Sequence, residues 1–290
     1  MNSKYEINTK ENREFLKASC EDLLNFGHRF PSPNGGSYYL GDDGTPWKDR
    51  NRETWITCRM AHVYSLGLML GHEGSGELAD AALKGLRGRA SRCKKNGGWY
   101  AGVTPEGDIV PNKQCYAHAF VILAASSALT AGRSGAEELL EEALAVYDQY
   151  FWNEEEGLAC DTWNTEFTVL DDYRGLNANM HTVEAFLAAG DVIGDKKYHI
   201  RAGRIIDHVI GWAEDNSWRI PEHFTKEWVA DLDCNCDRPD DPFKPYGATP
   251  GHGIEWARLI IQWALANCGE EKEKAGKIIS RQQRNFTQQQ

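Results

Sequence analysis

The sequence predicts an all-α fold, a toroid built from helical hairpins, and three observations carry that reading. Apolar residues recur with the 3.6-residue period of amphipathic helices along most of the chain. The periodic segments come in pairs, joined by short turns containing Gly or Asp: LGHEGSG, TAGRSG and VIGDKK. The pairs repeat at intervals of roughly 55–70 residues, with long Gly- and Trp-rich connections between them. A plain helical bundle or a solenoid is the competing architecture.

The pattern places helices at about 11–26, 54–71, 75–93, 113–132, 136–151, 178–193, 196–214 and 250–268, with a weaker one near 270–285. In each pair the first helix is the more apolar, as an inner ring requires, and the second carries the charge: AHAFVILAASSAL contrasts with GAEELLEEALAVYDQY. The helix from 250 opens on TPGH, where proline is tolerated near an N-terminus. The connections NGGWYAGVTPEGDIVPNK, EEEGLACDTWNTEFTVLDDYRGL and DNSWRIPEHFTKEWVADLDCNCDRPDDPFKPYGATP contain short alternating stretches, read as β-hairpins on one rim. Residues 1–290 are read as one α/α-barrel domain, and 271–290 as an atypical polar tail.

Composition narrows the function. A net charge of -11 with no cluster of Lys and Arg speaks against a nucleic-acid partner. No apolar run approaches the ~20 residues that span a bilayer, and the polar N-terminus MNSKYEINTKENREFLKAS lacks a signal-peptide core. The eight cysteines are scattered, which suggests reduced thiols in a cytoplasmic protein. Cys234 and Cys236 hint at a metal, but no second ligand pair stands at finger-like spacing. Ten tryptophans and eleven tyrosines suit a cleft in which ring faces stack on sugars.

Polar side chains gather at the starts of the more apolar helices. Trp55, Arg59 and His62 lie in TWITCRMAHVYSL, and Tyr116 and His118 in KQCYAHAF. Asn177, Asn179, His181 and Glu184 lie in NANMHTVEAF, and His252, Glu255 and Trp256 in TPGHGIEWARL. A single histidine on an apolar face is ordinarily a satisfied core residue, the asparagines are good caps, and Arg59 has Glu53 or Glu184 as partners for a simple ion pair. Recurrence at four helix starts, and its absence from the second helices, favours a shared funnel.

The segments WITCRMAHVYS, GGWYAGV, YFWNEEEGL, DYRGLNANMHTVEAFL, EHF and PYGATPGHGIEWARL resemble the N-acylglucosamine 2-epimerase superfamily, most closely its branch of bacterial aldose–ketose isomerases acting on mannose or sulfoquinovose. The resemblance runs in order from about residue 10 to 268. It implies an (α/α)6 barrel and isomerisation of an unphosphorylated hexose between C1 and C2 without metal or cofactor. By motif, His252 matches an acid/base histidine of the family, and His181 and Arg59 match further pocket residues. Glu255 is placed to orient His252, while Tyr116, Asn179, Trp55, His118, Trp256 and Lys244 are read as substrate-binding. Against the family pattern the chain shows about nine of twelve helices, so it is read as C-terminally truncated. Such a barrel exposes the faces of its first and last pairs and predicts low stability or association with another chain, a homo-oligomer included.

The chemistry fits the residues. Moving a hydrogen between C1 and C2 passes through an enediol, and needs a base near neutrality, an acid for the carbonyl oxygen, and donors for the enediolate. Histidine, with an ordinary pKa of ~6.5, serves both proton-transfer roles, and Arg59 the oxyanion. In DDPFKPYGATPGH a single lysine, Lys244, stands where the sulfosugar branch has arginines, so mannose or fructose suits the chain at least as well as a sulfonated sugar. The competing readings are a sugar 2-epimerase with the same proton chemistry, a glycoside hydrolase using Glu184 and Glu255, and a non-catalytic sugar- or protein-binding fragment.

Overall fold

A computed structural model describes residues 3–88 and 91–267. Eight α-helices run through them: α1 (Lys10–Gly27), α2 (Thr54–Met69), α3 (Ser75–Arg87), α4 (Cys115–Thr130), α5 (Ala136–Tyr150), α6 (Leu176–Ile193), α7 (Lys196–Asp215) and α8 (Pro250–Ala266). The weaker helix near 270–285 and the polar tail 271–290 lie outside the described residues. The predicted 75–93 helix ends early because Gly88 swings to extended backbone. The 113–132 helix starts late because Lys113–Gln114 is a strand.

Burial separates the two layers. In α4, Ala117 to Ala128 is buried without a break, so the helix is apolar on every side and belongs to the interior. In α5 only one face is buried, through Leu139, Leu140, Ala143, Leu144 and Tyr147. The inner helices α2, α4, α6 and α8 pack side by side in chain order, and α3, α5 and α7 each lie outside the inner helix before them. This is the α/α toroid that the sequence predicts. Its tight hairpin turns rest on left-handed glycines, among them Gly194, which closes α6 at φ 72° and bonds back to the Gly190 carbonyl.

Three of the inner helices, α2, α4 and α6, enter through the same device. Two-residue strands Arg52–Glu53, Lys113–Gln114 and Arg174–Gly175 immediately precede α2, α4 and α6. They pair antiparallel with Gly102–Val103, Thr162–Trp163 and His223–Phe224, strands from the long connection after that hairpin. The first helical N–H then donates to a carbonyl of the same connection: Thr54 to Ala101 at 2.9 Å, Cys115 to Asp161 at 2.8 Å, and Leu176 to Glu222 at 3.0 Å. Orphan helix donors are thereby satisfied by the loop. A buried cation, Arg52, Lys113 or Arg174, sits at the same register in every case. Lys113 donates to the Gly97 carbonyl at 2.5 Å, and Arg174 to the carbonyls of Asp171 and Tyr173 at 2.6 and 2.8 Å. The long connections are thus fixed to the inner-helix starts on one rim.

Candidate active site

Because α2, α4 and α6 begin at 54, 115 and 176 with one geometry, equivalent positions face equivalent surroundings. The residue after each start, Trp55, Tyr116 and Asn177, lines one cavity of about 370 Å³ at the rim. Asn177 Oδ1 is buried there with no hydrogen-bond partner, an acceptor awaiting a donor.

Two residues further on, the side chains turn back to the rim loops. Thr57 accepts the Ser37 N–H at 2.9 Å. His118 Nε2 accepts the Trp99 N–H at 3.0 Å, while Nδ1–H donates to the Gln114 carbonyl at 2.7 Å. The amide of Asn179 accepts from Ala159 N–H at 2.9 Å and donates to the carbonyls of Ala159 and Gly175 at 3.0 and 3.1 Å. His118 and Asn179, expected to bind substrate, are instead fully partnered struts between helix and loop. Burial pushes the His118 pKa down to about 3, so the ring is neutral. Trp256, expected to bind substrate, is instead packed in the core at 1% exposure and is not among the residues lining this cavity.

Five residues past the helix starts stand Arg59, Phe120 and His181. The Arg59 guanidinium lies over the rings of Trp55 and Phe120, 5.2 and 4.7 Å from their centroids, and donates to the Tyr116 hydroxyl at 3.2 Å. It does not take up the pairing with Glu53 or Glu184. The His181 ring sits 4.5 Å from Phe120 and 5.1 Å from Tyr116. Its Nδ1 donates to Glu184 at 3.1 Å, and the other Glu184 oxygen accepts from Arg258 at 2.7 Å. Burial alone would raise the Glu184 pKa, but the bonds and charges of His181 and Arg258 outweigh it and bring it to about 2.

From α8 comes the second imidazole. His252 Nδ1 lies 3.0 and 2.9 Å from the two oxygens of buried Glu222, which also accepts the Thr249 N–H at 3.2 Å. That hydrogen bond raises the His252 pKa against the opposing pull of burial. Glu255, expected to orient His252, does not do so. It stands 3.7 Å from Arg258, and its charge reaches His252 only from a distance. The reason is register: Glu222 occupies the loop position held by Ala101 and Asp161 in the preceding repeats, and from there its side chain reaches the next inner helix.

His181, Glu184 and Glu255 offer ligand atoms within 4.8 Å of one another, a spacing that would suit a cation. Arg258 already supplies positive charge to both carboxylates. Cys234 and Cys236 are free thiols outside this group. Opposite Trp55 the cavity is closed by Phe243, 6.2 Å from the indole, and by Lys244, whose ammonium rests 3.5 Å from the Tyr173 ring centroid. That segment is tied down by His223, which accepts from the Tyr173 hydroxyl at 2.8 Å and donates to the Pro245 carbonyl at 2.7 Å.

Arg59 and His181 thus meet at Tyr116, while His252 stands on the adjacent helix α8; none of the three lines the cavity itself, and each imidazole has Nδ1 committed to a carboxylate and Nε2 left for chemistry. A family model described as N-acylglucosamine 2-epimerase (GlcNAc 2-epimerase) matches residues 35–289. The chain belongs to this family. Among relatives of this GlcNAc 2-epimerase member, a D-mannose isomerase of Thermobifida fusca is 42% identical over 251 residues, covering 86% of this chain and 61% of the relative. A D-mannose isomerase of Pseudomonas cannabina pv. alisalensis is 36% identical over 261 residues, 90% of this chain and 62% of the relative. A crystal structure of a D-mannose isomerase superposes with a TM-score of 0.85 at 28% identity, over 95% of this chain and 71% of that one. The chain thus spans about three fifths of the length of these curated relatives.

Glu222, Arg258 and Phe243 escaped the sequence reading, and Asn177 was weighed there as a cap. A signal existed for Glu222: it sits in WRIPEHF as Asp161 sits in LACDTW, immediately before a strand that pairs back to the entrance of the preceding inner helix.

Proposed function

We propose that this chain acts as an aldose–ketose isomerase on an unphosphorylated hexose of the mannose–fructose type. The observation that carries the reading is the pair of carboxylate-oriented imidazoles, His181–Glu184 and His252–Glu222, with His181 and Arg59 both against Tyr116, a residue that lines a cavity of about 370 Å³. The names of the D-mannose isomerases it resembles support the choice of substrate.

With Nδ1–H held by Glu222, His252 presents Nε2 as the acid/base that takes the C2 hydrogen as a proton and returns one to C1. A raised pKa keeps the protonated form accessible near neutrality, as a group that both accepts and donates must be. Arg59, with its plane fixed by Trp55, Phe120 and Tyr116, supplies the charge that holds the enediolate oxygens. His181 in its protonated form, with Nδ1–H on Glu184, donates Nε2–H to the carbonyl oxygen from the adjacent helix α6, and Glu255 assists proton transfer beside it. Tyr116, Trp55 and the orphan oxygen of Asn177 orient hydroxyls. The seven cysteines of the described residues are free, which suits a reducing cytoplasmic setting. Among those residues no helix is long and apolar enough to cross a membrane.

The test is product analysis after incubation with mannose, glucose or fructose. Fructose formed from mannose, and mannose from fructose, is the expected result. Glucose from mannose without a ketose would mark a 2-epimerase, and no conversion of any sugar would overturn the reading for this chain.

A further inference from the structure

Three carboxylates and one ammonium face the cavity beside the imidazole cluster: Glu53, Asp161, Asp171 and Lys244. Glu53 is engaged by the hydroxyl of Tyr39 at 2.7 Å and the indole N–H of Trp55. Asp161 and Asp171 are less occupied. Asp161 accepts from the Thr162 hydroxyl at 3.1 Å, and Asp171 from the Tyr173 N–H at 2.9 Å, in each case on one oxygen. Asp161 stands at the repeat position that in the next repeat holds Glu222, a side chain directed to the reacting group. Asn177 lines the same cavity, its amide oxygen buried behind the wall without a partner. Every one of these oxygens lacks a hydrogen to give, so the ligand that completes them must bring its own O–H or N–H groups.

Lys244, read from the sequence as substrate-binding, here has partners within the wall. Its ammonium lies on the Tyr173 ring and within the field of Asp161, lowering the pKa of that acid against burial and Asp171, which raise it to about 6. Above that pH the residues lining the cavity carry three negative charges against the one positive charge of Lys244, with Arg174 behind Asp161 and Arg59 behind Trp55 and Tyr116. An anionic substituent would meet lone pairs facing lone pairs and like charge in a half-enclosed space.

We infer that Asp161 and Asp171 are specificity-determining residues, accepting hydroxyl hydrogens from the far end of the sugar and barring negatively charged substituents, with Lys244 as their counter-ion. The inference rests on the isomerase reading for the identity of the sugar, but it concerns recognition and not turnover.

The experiment measures equilibrium binding of mannose and of mannose 6-phosphate by calorimetry at pH 7.5. It compares the unaltered chain with Asp161→Asn, Asp171→Asn, the double variant and Lys244→Ala, with circular dichroism confirming the helices of each. The unaltered chain binds mannose and discriminates against the phosphate by about a hundredfold or more. Each asparagine weakens mannose about tenfold, the loss of one charged hydrogen bond, and the double variant brings the two ligands within about threefold. Lys244→Ala does not relieve the discrimination. Equal binding of both ligands by the unaltered chain, undiminished discrimination in the double variant, selective loss of the phosphate in Lys244→Ala, or no mannose binding at all would overturn the inference. Discrimination without turnover removes the isomerase and leaves the inference standing, and turnover without discrimination does the reverse.

Discussion

His252 draws its character from Glu222. The hydrogen bond to that carboxylate raises the imidazole pKa, and burial and the more distant Glu255 set the balance. Its ring proton signals should therefore titrate above the ordinary ~6.5, and Glu222→Gln should move the midpoint down. The linkage has a definite sign. A histidine whose folded pKa is raised adds stability that is complete below ~6.5 and fades as pH rises through the folded value. The stability gap between the unaltered chain and Glu222→Gln should then be widest below about pH 6 and narrow in alkali; a gap that widens with pH would contradict the pairing. His118 has the opposite sign. Its pKa is held down to about 3 by burial, so protonation between ~6.5 and that value weakens the fold. Replacement by Gln should flatten the loss of stability in acid, read by urea unfolding at stepped pH, and should leave sugar binding intact.

The inner-helix starts explain why some polar residues bind loops and others reach the centre. His118 and His181 look alike in the sequence, each an imidazole in the opening turns of an apolar helix. One is three residues past its helix start, within reach of the rim strands, and the other is five past and faces Arg59 and Glu184. The helices and their order were legible because periodicity is a local property. The register between a helix and the loop of the following repeat was not, since it is set by two-residue strands too short to show alternation. Glu222 and Asp161 stayed hidden for that reason, although their shared offset from the pairing strands is written in the chain. Asn179 offers the element-scale prediction. Its amide makes three hydrogen bonds at 0% exposure, joining α6 to the Leu158–Ala159 strand. Asn179→Ala leaves buried groups unpaired and should cost about 2–4 kcal/mol in denaturant unfolding. A loss below ~0.5 kcal/mol would show that the strut is idle.

Across the described residues, the helices at either end of the inner series carry exposed apolar side chains. Val63, Leu66 and Leu70 on and just after α2 are 39%, 40% and 72% exposed, and Ile254 and Leu265 on α8 are 63% and 56% exposed. Exposed apolar surface of this kind is where association between chains is to be looked for. Sedimentation should show a concentration-dependent complex of this chain with itself, weakened by Leu66→Glu with Leu70→Glu; a monomer at every concentration would contradict it. The account as a whole stands on guanidinium 59 and imidazoles 181 and 252 acting on one substrate carbon pair. Its most direct test is incubation with mannose in heavy water, following deuterium at C2 of recovered mannose and at C1 of fructose by NMR. The account predicts incorporation by the unaltered chain and its loss in His252→Ala with helical circular dichroism unchanged. Undiminished incorporation by His252→Ala would contradict it.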